Sequence, residues 1–166
     1  MVHHLDSWGI SNERVLRFAF LNAFFKTELK NPIDDAIVAH VYTSGYRFEP
    51  SKWRKIDEVP FDFIRRRISV IVETDFRGIP DKNYPEVDAI TYVITKGAVE
   101  EVLNICTSIE HTDTCVTLAL TLEDRQRIIQ ISRELNNDGL RVLGVAIRRI
   151  KKVTFCSLSL QTTSTN

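Results

Sequence analysis

A chain of 166 residues, 43% hydrophobic and 27% charged, has enough material for one globular domain with a real core. Lysine plus arginine and aspartate plus glutamate number 22 each, so no chain-wide field draws it to nucleic acid or to an anionic membrane. No apolar run is long enough to insert in a bilayer, and Cys106, Cys115 and Cys156 are too scattered for a zinc site or a disulfide framework. They read as reduced thiols in a cytoplasmic compartment.

Residues 1–12 read as a flexible amino-terminal segment without the build of a signal peptide, His3 and His4 being mobile residues rather than a metal pair. Ser11 or Asn12 opens a helix running to about Lys30, whose apolar residues, Phe18, Leu21, Phe24 and Phe25 among them, fill more than one narrow stripe. A second helix follows Asn31, a good N-cap, with Pro32 in its first turn and Asp34 and Asp35 at the positive end of its dipole. Capping is the structural role of those two carboxylates. His40 reads as a helix-face residue. A loop from Tyr42 to Pro50 leads to a strand from Trp53 to Val59.

The stretch Val59 to Val70 carries an aromatic pair, Phe61 and Phe63, and three consecutive arginines, Arg65 to Arg67, straight into an alternating β pattern. Aromatic faces stack bases and guanidinium forks bind phosphate. On a regular strand Phe61 and Phe63 would share a face and could sandwich a base, while some of the arginines would point away from it. Ile68, Val70 and Val72, and again Ile90, Tyr92 and Ile94, alternate with more polar residues, as expected of two strands in one antiparallel sheet. Between them, 75–86 is rich in turn residues and reads as a surface excursion.

Lys96-Gly97-Ala98 sits at a strand-to-helix corner: Gly97 permits close approach of backbone or ligand, and the next helix, carried by Val99, Val102, Leu103 and Cys106, would offer free N–H groups. His111 falls in a loop. Thr121 to Asp124 has the form of a capping box, opening a helix that stops at Asp138-Gly139. Leu140 to Ile147 then reads as a well-buried strand in which Arg141 must be ion-paired or reach a phosphate. A basic run, 148–152, and a disordered polar tail, 153–166, close the chain.

Taken in order, Lys30-Asn31-Pro32-Ile33-Asp34-Asp35-Ala36-Ile37, Pro60-Phe61-Asp62-Phe63 with Arg65-Arg66-Arg67, Lys96-Gly97-Ala98 and Gly139-Leu140-Arg141-Val142 resemble the nucleotide-binding domain of P-type cation-transporting ATPases. The run from Lys55 to Val70 looks most like the magnesium-transporting branch. The resemblance implies an α+β fold, an antiparallel β-sheet flanked by helices, over residues 13–152. It implies ATP, as Mg-ATP, held by its adenine so that the γ-phosphate reaches an aspartate in a separate phosphorylation domain.

By motif position, Phe61 resembles the residue that stacks on adenine, with Phe63 as its competitor. Asp34 resembles the acid near the adenine amino group, Arg66 the basic residue after the aromatic, Lys96 with Gly97 the lysine corner lining the cleft, and Arg141 the arginine approaching the phosphates. Many members carry glutamate in place of Asp34 and lysine in place of Arg66, which changes reach and fork geometry. The partners implied are ATP and the phosphorylation and actuator domains of a parent transporter. The domain is expected to be cytoplasmic, a monomer in isolation, not inserted in the membrane and not bound to nucleic acid. Asp-Lys-Thr-Gly-Thr, Thr-Gly-Asp and Gly-Asp-Gly are absent, so this piece of a transporter is not expected to complete phosphoryl transfer alone. A different class of reading is a single-stranded nucleic-acid module using Phe61, Phe63 and Arg65 to Arg67, disfavoured by the neutral charge.

Overall fold

Runs of alternating apolar residues and four α-helices build the described part of the molecule, for which a computed structural model describes residues 2–27, 31–46, 48–74, 90–111 and 116–150. Helix α1 spans Glu13–Phe25 and is capped by Asn12, whose side chain accepts from the Arg14 N–H. Helix α2 spans Pro32–Thr43, with Asn31 accepting from Ile33 N–H as N-cap. A short 3₁₀ turn at Pro50–Lys52 delivers the chain into β1, Trp53–Asp62. Then come β2 (Arg67–Thr74), β3 (Ile90–Gly97), α3 (Val99–Asn104), β4 (Ser108–Glu110), β5 (Thr117–Ala119), α4 (Leu122–Asn137) and β6 (Gly144–Ile150).

The main sheet has the order β1-β2-β3-β6, every pairing antiparallel, and β4 and β5 form a separate two-stranded ribbon. The fold is therefore α+β, an antiparallel sheet with helices against it. Alternation decides which face is covered: Ile68, Val70, Val72, Ile90, Tyr92 and Ile94 are buried, and Phe18 and Leu21 of α1 with Trp53 pack on the last five. The opposite face of α1 supplies Leu16, Phe20 and Ala23 to a second cluster with Ile37 and Val41 of α2. Asn22, fully buried, ties the layers together by donating its amide N–H to the Ile94 carbonyl at 2.8 Å. At about 25 cal/mol per Å² of apolar area removed from water, these clusters are the main source of stability.

Several expectations change. Helix α1 ends at Phe25, with Lys26 already extended, rather than near Lys30. The last strand begins at Gly144, not Leu140, and its residues are half-buried apart from the exposed Arg148 and Ile150, because it lies at an edge of the described sheet and is covered less than a central strand. The ribbon β4–β5 has too few residues per strand to show an apolar period and was not anticipated. Residues 2–12 make more contacts than a free arm. Leu5 bridges to Ser11, Asn12 N–H bonds to the His4 carbonyl at 2.8 Å, and the Arg127 guanidinium lies 5.3 Å over the Trp8 ring. The surface excursion at 75–86, the tail at 153–166, Lys30, Cys115 and Cys156 lie outside the described residues. Among the described residues no helix is long and apolar enough to cross a membrane, and no group of three acidic, histidine or cysteine side chains could hold a metal ion.

Candidate functional site

Pro60 cannot donate to a ladder, and at Val59-Asp62 the pairing of β1 with β2 is irregular: Val59 pairs with Ser69 and Asp62 with Arg67, so Pro60 and Phe61 together face Ile68. This bulge sets Phe61 at the end of the edge strand, 39% exposed. Phe63, expected on the same strand, lies beyond it in the turn, 87% exposed. The two rings meet at 5.2 Å between centroids and 88° between planes. They touch edge to face, a favoured aromatic geometry, and do not form the parallel sandwich that a regular strand would allow.

The turn is built by Asp62. Its Oδ1 accepts from the N–H groups of Ile64 and Arg65, both at 2.8 Å, its Oδ2 from Arg65 Nε at 2.8 Å, and its carbonyl from Arg66 N–H at 2.6 Å. The Arg65 N–H and side chain hold the Asp62 carboxyl below its ordinary value. Arg65 is thus committed to the turn, and Arg67, first residue of β2, reaches the Glu101 carbonyl at 3.5 Å. Arg66 stands in the left-handed region at φ 47°, an unusual place for a non-glycine residue. Strand parity therefore does not orient the arginines as expected, since Arg65 and Arg66 belong to a turn.

Across the sheet, Ile68 pairs with Lys96 and Lys96 with Val145, so the Phe61 bulge, Ile68 and Lys96 form one row of backbone positions. Two strand spacings, about 10 Å, separate the first from the last. Gly97 serves close approach, as expected, and what approaches is backbone: the Arg66 carbonyl accepts from Ala98 N–H at 3.1 Å. That first N–H is spent on the hairpin, and α3 has only six residues, so the corner does not present the open helix terminus foreseen.

Lys96 is not the exposed lysine of an ordinary turn. It is 4% exposed, and its Nζ pairs with Asp34 Oδ1; the other carboxylate oxygen, Oδ2, pairs with Lys26 Nζ. Asn31 does the capping, which leaves Asp34 turned inward, 5% exposed, between two ammonium groups. Burial opposes the Asp34 charge, but hydrogen bonds from Lys26 and then Lys96 outweigh it and hold the carboxyl below its ordinary value. Burial pushes Lys96 down, with Asp34 pulling the other way. Lys26 was missed in the sequence because the helix was read through to about Lys30, which makes Lys26 one more residue of its last turns, where a lysine suits the dipole.

Lys26 is positioned by its neighbour. Thr27 N–H donates to Glu58 Oε2 at 3.0 Å and the Thr27 hydroxyl to Glu58 Oε1, while Lys55 Nζ holds Glu58 Oε2 at 2.7 Å. Lys55 first, then Thr27, hold Glu58 down to about 2.

Arg141 lies in the connection between α4 and β6 and is exposed, so it needs no buried partner. A cavity of about 650 Å³ runs between the amino-terminal segment, α1, α2, α4 and β6, with Lys96 and Arg141 on its wall. Phe61, Phe63, Arg66 and Asp34 do not line it. The seven sequence-predicted residues thus fall into three places: Phe61, Phe63 and Arg66 with Gly97 at the hairpin tip, Lys96 and Asp34 in a buried cluster, and Arg141 at the cavity rim.

Residues 25–165 match the family described as P-type ATPase, cytoplasmic domain N. The chain is 36% identical over 146 residues to the magnesium-transporting ATPase, P-type 1, of Salmonella typhimurium and to that of Escherichia coli K12. Each alignment covers 88% of this chain and 15% of the relative. The calcium-transporting ATPase of Bacillus subtilis is 29% identical over 124 residues, 73% of this chain and 12% of that protein. The chain spans about one seventh of the length of these curated relatives. With a family match over most of its length and a fold of the corresponding class, the chain belongs to the P-type ATPase cytoplasmic domain N family.

Proposed function

We propose that the chain is the ATP-binding domain of a magnesium-transporting P-type ATPase, holding ATP by its adenine so that the γ-phosphate is delivered to an aspartate in a separate phosphorylation domain. The observation that carries this is the row from the Phe61 bulge through Ile68 to Lys96, an aromatic and an ammonium group whose backbones stand about 10 Å apart, which suits a nucleotide lying across the strands. The magnesium-transporting relatives favour that branch.

In this reading Phe61 stacks on the base and Phe63 fixes its ring edge-on. Arg66, Lys96 and Arg141 offset phosphate charge, and Gly97 lets the hairpin close on the strand end. Asp34 acts on the base side of the cleft and through its hold on Lys96. The metal arrives on the nucleotide, the partners are the phosphorylation and actuator domains, and the domain, spanning 13–152, is monomeric in isolation. One stacked ring contributes on the order of 1 kcal/mol, so the affinity expected of the isolated chain is on the order of high micromolar to millimolar.

The test is a titration of the chain with Mg-ATP by NMR, alongside Phe61→Ala, Lys96→Ala and a short single-stranded oligonucleotide. Weak, saturable ATP binding that either substitution removes supports the reading. Salt-sensitive oligonucleotide binding with no response to ATP replaces it with the nucleic-acid one.

A further inference from the structure

We propose that Lys26 is a standby counterion for Asp34, keeping the buried carboxylate paired whenever Lys96 turns to an anionic nucleotide. The inference rests on the ATP-binding reading and adds to it a residue that neither the motifs nor the resemblance assigned. Three side chains make the case. Counting side-chain atoms alone, Lys26, Asp34 and Lys96 are 9%, 7% and 5% exposed, and the two lysines hold different oxygens of one carboxylate. One can therefore leave without disturbing the other.

A lysine buried against a single aspartate is locked, because its departure would strand a charge away from water. Lys96 is the member with somewhere to go: it borders the large cavity, and it precedes Gly97 at the corner that meets the hairpin carrying Phe61 and Arg66. Lys26 is the member that stays, since the next residue, Thr27, is bonded twice to Glu58 on β1. Asp34 comes from α2, Lys26 from the end of α1 and Lys96 from β3, so the exchange needs rotation of one side chain and no movement of an element.

The proposal is tested on the whole chain with Lys26→Met, which keeps the apolar stem, Lys26→Gln as a second neutral variant and Lys26→Arg, which keeps the charge. Thermal melting and amide spectra establish that each is folded. The neutral variants are expected to weaken Mg-ATP binding about tenfold, and Lys26→Arg to restore most of it. In an Asp34→Asn background, where no carboxylate can be stranded, Lys26→Met should change affinity little. Without nucleotide, the Lys96 ammonium, followed by side-chain NMR, should titrate at higher pH in Lys26→Met, since a neighbouring cation has gone.

Parent-like affinity in both neutral variants, while Phe61→Ala still abolishes binding, overturns the standby role and leaves the ATP reading intact. A tenfold loss that persists in full with Asp34→Asn also overturns it, because Lys26 would then act on the phosphates directly. A parent chain that binds no Mg-ATP overturns both.

Discussion

A side-chain carbon at Gly97 would stand 2.3 Å from the carbonyl oxygen of Arg66 and 2.6 Å from Arg67 Cβ. The obstacle at 2.3 Å is backbone, so no rotamer change relieves it, and the Ala98 N–H to Arg66 carbonyl bond pins the two segments at this spacing. Gly97→Ala should therefore destabilise the fold by about 2–3 kcal/mol or displace the hairpin tip. Denaturant unfolding measures the first and amide shifts of residues 61–67 the second. An alanine variant with parent stability and unshifted tip resonances would contradict the contact.

Arg66 has the converse problem. At φ 47° its Cβ is a burden that glycine would not carry, so Arg66→Gly should leave stability unchanged or raise it by up to about 1 kcal/mol. A strained residue kept at a tip beside an exposed aromatic fits a role for the guanidinium in binding. The expected split, retained or raised melting temperature with weaker Mg-ATP affinity, is checked by melting and by the NMR titration.

Much of this arrangement was legible because it rests on local rules. Asn12, Asn31 and the Thr121–Asp124 box announced their helices, and alternation through Ile68 to Val72 and Ile90 to Ile94 gave the sheet and its buried face. The turn between β1 and β2 was not anticipated: Phe61, Phe63 and the arginines were read as one strand and its approach, and what turns the chain there is a single carboxylate, Asp62, bonding to the residues ahead of it. The buried cluster was half legible. Asp34 and Lys96 stood out by motif, but that they face each other, and that Lys26 completes the set, depends on how the end of α1 and the start of α2 meet the end of β3. No periodicity in the chain encodes that meeting.

The shared carboxylate makes the cluster asymmetric under substitution. Lys96→Met leaves Asp34 paired with Lys26, whereas Asp34→Ala removes the carboxylate from two buried ammonium groups at once. Breaking a buried pair by deleting one partner costs about 3–5 kcal/mol, so Asp34→Ala should approach or exceed that range and Lys96→Met should fall below it. Urea unfolding of the two variants and the parent ranks them. Equal losses would mean that Lys26 does not support Asp34 when Lys96 is gone.

Acid stability should carry the mark of Glu58. Its carboxyl is held down from 4.5 to about 2, chiefly by the hydrogen bond from Lys55 and then by the Thr27 hydroxyl. A carboxylate whose folded pKa is depressed contributes stability that is complete above the unfolded value of 4.5 and is lost as pH falls from there towards 2, because the unfolded chain takes up the proton first. Glu58→Gln removes that proton uptake, so its stability should fall less steeply than the parent's over this window, with the gap between them narrowing as pH drops. Asp34, also depressed, titrates in the same direction and leaves a residual slope in the variant. Unfolding free energies at several pH values decide the matter: parallel curves for parent and Glu58→Gln would show that the Thr27–Glu58–Lys55 contact does not form in solution, and with it would go the anchor that places Lys26 beside Asp34.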